Sequence, residues 1–259
     1  MCLKNMLILV VLFVFISATD VFSNKRPVNW VEYHSAYLSS RGIADFSDNS
    51  LITLLKETKD TSIAYHTVLL LGRKKVDNAV SAMEEWLIKE NINVRIAAAE
   101  ALLMLDNTNG IKTLKEICQN YEGAYALDAT GVLARYGFID AIPYLENFGK
   151  SEIYSYRLSA LEHMRSLSEK LQTELKANKK KKQLEDKVEY LINKMIELLS
   201  DKDIRVRRRA FNLLSIINIQ NKTYIIKELK RKVGSESDPE LAAQIRKGIE
   251  LLETKQQTE

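Results

Sequence analysis

The feature of this sequence that most constrains its fold is an internal repeat of helical length. The segment NVRIAAAEALLML at 93–105 resembles RVRRRAFNLLSII at 205–217, and one apolar frame with steps of four, four and three residues occurs six times. The six frames end at Leu71, Leu105, Tyr136, Leu167, Ile217 and Leu252. Such steps keep the frame residues on one face of an α-helix, and an alanine near the middle of the frame lets a neighbouring helix approach closely.

A second type of segment lies between these copies. NAVSAMEEW at 78–86, NGIKTLKEI at 109–117 and DAIPYLENF at 140–148 follow one another at a period of 31 residues, with a looser relative at 224–233. The chain of 259 residues has only 9 glycines and 3 prolines, well below ordinary usage, so strand-connecting turns are scarce. Each repeat is therefore predicted to be a helical hairpin in an all-α chain.

These hairpins resemble HEAT-type repeats, in the short form common in bacterial proteins. The resemblance rests on VRxxAxxxL in the second helix and AIPYL in the first, and it covers about residues 50–252. It implies a right-handed α-solenoid of about six hairpins whose second helices line the concave side. It also implies that a second-helix arginine contacts an acidic residue in the preceding interhelical turn. Arg95, Arg157 and Arg207 match that arginine, whereas Ala126 and Ala242 do not.

The repeat is interrupted once. The spacing from Leu167 to Ile217 is 50 residues instead of 31 to 35, and the excess includes the lysine run Lys179–Lys182. We expect a lengthened helical hairpin at about 168–200 with the lysines at or near its tip. One long uninterrupted helix is the alternative.

Residues 1–23 have the layout of a secretory signal peptide. Lys4 precedes an apolar run at 6–16, and small or polar residues follow. The run is shorter than the roughly 20 residues that a membrane-spanning helix needs. We therefore expect an exported chain, periplasmic or secreted, cleaved after Ser23 or after Ala18. An uncleaved membrane anchor is the alternative.

The remaining chain divides into three parts. Residues 24–49 form an N-terminal capping segment whose aromatic side chains cover the open end of the solenoid or dock a partner. Residues 50–254 form the repeat domain, and a disordered tail is expected at 255–259.

The residues that usually carry enzyme chemistry form no recognisable motif. After the apolar run, Cys118 is the one cysteine, and the three histidines lack metal-ligand spacing. We expect a buried, inert thiol, structural histidines, and no enzyme activity, cofactor or metal. Some HEAT-like proteins are lyases or glycosylases, which stays an alternative, although no catalytic residue of either activity maps onto this chain.

Basic residues concentrate towards the C-terminus. The first 150 residues contain 15 basic and 17 acidic residues, and the rest contain 23 and 17. The predicted function is a non-enzymatic protein-binding scaffold whose concave cations attract an acidic protein partner. The candidate contact residues are Arg95, Arg157, Lys179, Lys180, Lys181, Lys182, Arg205, Arg208 and Arg209.

A second function class remains open for the same basic clusters. They could bind an anionic membrane surface or a nucleic acid, and an uncleaved N-terminal segment would favour membrane contact. Export and the lack of aromatic residues interleaved with the clusters disfavour nucleic acid.

Overall fold

The computed structural model describes residues 29–177, 181–217 and 222–258, so the expected signal peptide and the first residues of the capping segment lie outside the described residues. The described chain is all-helical and contains no β-strand. Its helices are α1 (Trp30–Ser40), α2 (Asp48–Glu57), α3 (Thr61–Arg73), α4 (Val80–Glu84), α5 (Ile92–Met104), α6 (Gly110–Asn120), α7 (Ala124–Arg135), α8 (Ile142–Gly149), α9 (Tyr154–Ala177), α10 (Lys181–Glu197), α11 (Ile204–Ile216), α12 (Lys222–Val233) and α13 (Pro239–Thr258). Short 3₁₀ turns flank α4, precede α8 and follow α10.

The helices from α2 onwards pack as six consecutive hairpins. Each even-numbered helix contacts the odd-numbered helix that follows it, from the pair α2 and α3 to the pair α12 and α13. The second helices α3, α5, α7, α9, α11 and α13, called the inner helices below, also pack on one another in chain order. These contacts confirm the predicted solenoid of six helical hairpins.

Small residues let the inner helices approach closely. The predicted frame alanines are fully buried: Ala64, Ala98, Ala129, Ala160 and Ala210. Two glycines lie against the α5 backbone, since a Cβ atom at Gly72 would be 2.9 Å from the Cα of Ala101, and one at Gly110 would be 2.6 Å from the Cα of Ala99. The first hairpins therefore depend on small side chains, because a larger residue would push the helices apart.

A repeated turn ends the first inner helices. Lys75, Asp106 and Gly137 follow α3, α5 and α7 at intervals of 31 residues, and each has a positive φ angle, of 58°, 56° and 85°. After each of them an amide donates back to a leucine carbonyl five residues earlier, at 3.2, 3.0 and 3.0 Å. This is the Schellman arrangement, which pairs carbonyls that a helix end leaves free.

The same turn follows α1. Gly42 has a φ angle of 84°, and the amide of Ile43 donates to the carbonyl of Leu38 at 3.1 Å. Helix α1 packs on α3, with Leu38 fully buried. Helix α1 therefore takes the position of a further inner helix and covers the N-terminal face of α3, whereas Trp30 at its start stays 40% exposed.

The lengthened segment forms two helices. Helix α9 has 24 residues and packs on α10, which then serves as the first helix of the next hairpin. Leu171 of the extension is buried. The structure thus favours the hairpin over one continuous helix at 168–200.

The chain end differs from expectation. Helix α13 continues to Thr258, through most of the tail expected to be disordered from residue 255. The sequence from 253 to 258 contains no glycine or proline that would end a helix.

Candidate binding surface

Arg157 joins two interhelical turns and is buried, with 4% of its surface exposed. Its Nε and Nη2 donate to the two carboxylate oxygens of Asp201 at 2.7 and 2.8 Å. Its Nη1 donates to the carbonyls of Ser151 and Glu152 at 2.7 and 3.0 Å. The hydrogen bonds to Asp201 raise the pKa of Arg157 further above its usual value. Arg157 therefore fixes one repeat against the next and is not presented to a partner.

Arg207 repeats this arrangement one hairpin later. Its Nε and Nη2 donate to Glu236 at 2.9 and 2.8 Å, and its Nη1 donates to the carbonyl of Asp201 at 3.0 Å. The carboxylate lies in the following turn, and the preceding turn supplies only carbonyls, so the direction implied by the resemblance is wrong here. We call the contacts of Arg157 and Arg207 the arginine clasps.

Arg95 holds the same frame position with weaker contacts. Its Nε donates to the carbonyl of Leu87 at 2.9 Å, and its nearest carboxylate, in Glu116, is 3.9 Å away. The side chain is 17% exposed. Arg95 therefore also serves mainly to hold the hairpins together.

The second predicted cluster lies at the start of α11, where each arginine has a carboxylate partner within the chain. Arg205 donates to Asp203 at 3.0 and 2.6 Å and lies 3.5 Å from the centre of the Tyr154 ring. Arg208 pairs with Glu240 at 3.3 Å, and Arg209 pairs with Glu162. The sequence brought these cations together correctly, but their charge is largely balanced by acids from other helices.

The lysine run is described only in part. Lys179 and Lys180 lie outside the described residues, and the Lys181 side chain is not described. Lys182 is exposed on the first turn of α10. Its position near the tip of the lengthened hairpin agrees with the sequence prediction.

A groove of about 460 Å³ crosses the C-terminal part of the inner face. Its walls come from five successive helices, α1, α3, α5, α7 and α9, and from the turns that follow three of them. Its lining residues include the apolar or aromatic side chains Trp30, Val31, Leu103, Met104 and Tyr136. The 31-residue turn register places Lys75 and Asp106 side by side at its edge, because they occupy the same position in successive repeats.

Three cations line this groove: Arg73, Lys75 and Lys170. All three side chains are exposed, and within the described chain none of them has a carboxylate within ion-pair distance. The Arg73 guanidinium lies 5.5 Å from the centre of the Trp30 ring. Asp106 is the one carboxylate among the lining residues. We call this feature the cationic groove. Sequence reasoning missed it, because its cations come from three different repeats.

A carboxylate pair lies on the inner face between α5 and α7. Arg135 donates to Glu100 at 2.9 Å. Asp128 on α7 is exposed, yet desolvation by the surrounding protein raises its pKa to about 6, with Glu100 adding to the shift and Arg135 opposing it. This carboxyl group therefore titrates near neutral pH.

His163 and Cys118 are structural, as the sequence predicted. A Cβ atom at Gly131 would be 2.6 Å from the His163 ring, so the imidazole lies flat against α7. Burial lowers the pKa of His163 to about 3, and Arg135 adds to the shift. Cys118 is buried beside Thr130, and burial raises its thiol pKa.

Two further searches concern the described residues only. No group of three or more histidine, cysteine, aspartate or glutamate side chains there could hold a metal ion. No described helix has both the length and the apolar character needed to cross a bilayer.

The known proteins that resemble this chain share little sequence with it. No protein-family profile matches the sequence, and no curated protein does. Among solved structures, an engineered protein is 15% identical, covering 80% of this chain and 96% of its own with a TM-score of 0.48. A second engineered protein is 15% identical, covering 86% and 60%, with a TM-score of 0.49.

A natural structure is also similar. The complex of CpcE and CpcF of phycocyanin lyase from Nostoc sp. PCC7120 is 16% identical, covering 90% of this chain and 98% of its own, with a TM-score of 0.41. At such identities and TM-scores, these likenesses say nothing about activity. The class of this protein, an all-α solenoid of helical hairpins, follows from its own helix contacts.

Proposed function

We propose that this chain is an exported, non-enzymatic protein-binding module whose cationic groove holds an acidic segment of a partner protein. The observation that carries the proposal is the groove itself. It combines exposed aromatic surface at Trp30 with three cations that have no ion-pair partner in the described chain. Aromatic side chains and arginine are the residue types that most often anchor protein interfaces.

The charge of the groove favours an acidic occupant. Three lining cations face one lining carboxylate, so the side chains leave a formal excess of positive charge. The C-terminal ends of α3, α5 and α7 offset part of this excess through their dipoles, although exposure to solvent weakens that effect. An acidic peptide would gain charge complementarity here, and its apolar side chains could lie on Leu103 and Met104.

Anion binding by the C-terminal clusters is the second candidate. Arg205, Arg208 and Arg209 have carboxylate partners within the chain, so the lysines near the hairpin tip remain its main support. This candidate predicts binding to anionic vesicles that weakens steeply with salt and is lost when Lys179–Lys182 are changed to glutamate.

Site-specific photo-crosslinking tests the groove. A photoreactive amino acid at position 170 would lie in the groove, and one at position 112 would lie on α6, where the Lys112 side chain is 88% exposed. The experiment is performed in the native compartment. We expect a discrete protein adduct from position 170 and none from position 112.

Charge reversal makes this test specific. The double variant Arg73→Glu and Lys75→Glu should reduce the adduct about tenfold or more, because partner affinity depends on the groove charge. The variant with Lys179–Lys182 changed to glutamate should leave it unchanged. Equal adducts from positions 170 and 112, or an adduct insensitive to the groove charges, would refute the proposal. If the two cations only stabilise the end of α3, the double variant will lower stability without changing the adduct.

A further inference from the structure

A buried pair of histidines joins α1 to the rest of the solenoid. His34 of α1 and His66 of α3 are 2% and 8% exposed, and their Nδ1 atoms lie 3.0 Å apart. Two neutral imidazoles can share one hydrogen between these atoms. Two imidazolium ions cannot, because every ring nitrogen would then carry a hydrogen.

The surroundings indicate which nitrogen carries the hydrogen. The Nε2 atom of His34 is buried and has no hydrogen-bond partner. We assign the shared hydrogen to Nδ1 of His34, which leaves Nε2 as a lone pair, because burying an unpaired N–H group would cost more. Protonation of His34 would create that unpaired N–H group.

Aromatic rings enclose the pair. The ring of Tyr37 stacks on His66 with centres 3.6 Å apart and an angle of 10°, and the Tyr33 ring lies 5.3 Å from His34. Tyr65 of α3 meets His66 edge to face. Helix α1 is therefore held on α3 largely through these two imidazoles.

The charged groups that act on the pair are cations. Arg73 of α3 acts on His34, and Arg41, which follows α1, acts on His66. On the neighbouring α5, Glu100 acts on Tyr65 and not on either imidazole. Within the described chain, no carboxylate stabilises an imidazolium ion at this contact. Burial, assisted by His66 and Arg73, lowers the pKa of His34 to about 3, and burial with Arg41 lowers that of His66 to about 4.

We propose that α1 is a pH-sensitive wall of the cationic groove, held against α3 by the neutral His34–His66 pair and released when the pair takes up a proton. Trp30 and Val31 of α1 line the groove, so release would remove part of its apolar surface. The consequence for partner binding rests on the proposed function, but the release of α1 does not. The device fits an exported protein that holds its partner at neutral pH and frees it in mild acid.

The direction follows from proton linkage. Docked imidazoles have pKa values below the ordinary 6.5, so released α1 binds more protons than docked α1 below that pH. Docking is therefore full above pH 6.5 and weakens as the pH falls from 6.5 towards 4. The docking equilibrium constant should fall about tenfold per pH unit for each imidazole.

Hydrogen exchange of the full chain, followed by mass spectrometry and corrected for intrinsic exchange rates, measures the release directly. Protection of α1 amides should fall steeply between pH 6.5 and 5, while α5 and α7 keep theirs. The variant His34→Leu, His66→Phe should lose this dependence on pH. The matched control His163→Phe changes the third buried histidine, and it should keep the α1 profile.

A second variant serves if the double variant does not fold. His66→Gln keeps a neutral hydrogen-bonding side chain and leaves one titrating group, so the slope for α1 should fall to about tenfold per unit. The proposal fails if α1 protection does not change below pH 6.5, if α1 opens only together with α5 and α7, or if the histidine variants keep the wild-type profile. No partner is needed, so a missing partner would refute the proposed function while leaving α1 release intact. Failure of release would leave binding at neutral pH unaffected.

Discussion

The two ends of this solenoid are held together by different means. From α1 to α7 the helices follow a period near 31 residues, end in the same Schellman turn, and pack through glycine and alanine. From α9 to α13 the period is broken, and the arginine clasps join successive turns. Close packing needs a fixed repeat length, because a small residue must meet a small residue. A long guanidinium can span a less regular separation.

The largest expected difference concerns the clasps. Arg157→Met should lower the free energy of unfolding by about 3–5 kcal/mol, because it leaves the Asp201 carboxylate, only 7% exposed, without its cation. The matched change Arg95→Met in the N-terminal region should cost about 1 kcal/mol, since it removes one hydrogen bond to a carbonyl. Urea unfolding of both variants measures the difference. Equal losses would show that the two regions do not differ in this way.

The opposite ranking is expected for glycines. Gly110→Ala should cost about 1–3 kcal/mol, because its Cβ atom would meet the Ala99 backbone. Gly234→Ala in the C-terminal region should be neutral or stabilising by up to about 1 kcal/mol, as the nearest atom is 3.9 Å away. Thermal unfolding of the two variants compares them. A neutral Gly110→Ala would mean that the N-terminal region can expand without cost.

Acid should separate the two regions. Docking of α1 should lose about 1.4 kcal/mol per pH unit for each histidine below pH 6.5, because released α1 binds more protons. The hydrogen bond from Arg207 lowers the pKa of Glu236 below its usual 4.5, so that clasp keeps its full effect above 4.5 and weakens only at lower pH. Hydrogen exchange at pH 7, 5.5 and 4 should show α1 opening before α13. Simultaneous opening would contradict this order.

The smallest effect is expected at Asp128. Because the folded protein raises its pKa to about 6, ionisation at pH 7 opposes folding, and Asp128→Asn should stabilise the chain. The side chain is exposed, so solvent screening keeps the gain to about a few tenths of a kcal/mol. The gain should disappear near pH 4, where the folded protein already holds this carboxyl neutral. Paired melting curves at pH 7 and 4 provide the check, and a gain of equal size at both would exclude this cause.

The fold was largely predictable because its information is local. Steps of four, four and three residues specify one helix face, and the spacing of successive frames specifies hairpins. The lengthened hairpin was also visible as a break in that spacing. The extra inner helix α1 escaped notice because its sequence keeps little of the frame, although Gly42 continues the register of turn residues.

The binding surface was less predictable. Sequence charge identified Arg157, Arg205 and Arg209, but it could not show that Asp201, Asp203 and Glu162 neutralise them. Conversely, Arg73, Lys75 and Lys170 looked unremarkable as isolated cations, and only the stacking of repeats brings them to one groove.

The sequence by itself thus determined that this chain is a stack of helical hairpins with one lengthened member. Helix periodicity and turn spacing act between neighbours in the chain. Only the tertiary structure decided which charges are free and which are paired, and it brought His34 against His66 across 32 residues. Ion pairing and burial depend on side chains from different repeats, so their energies become defined only when the repeats pack.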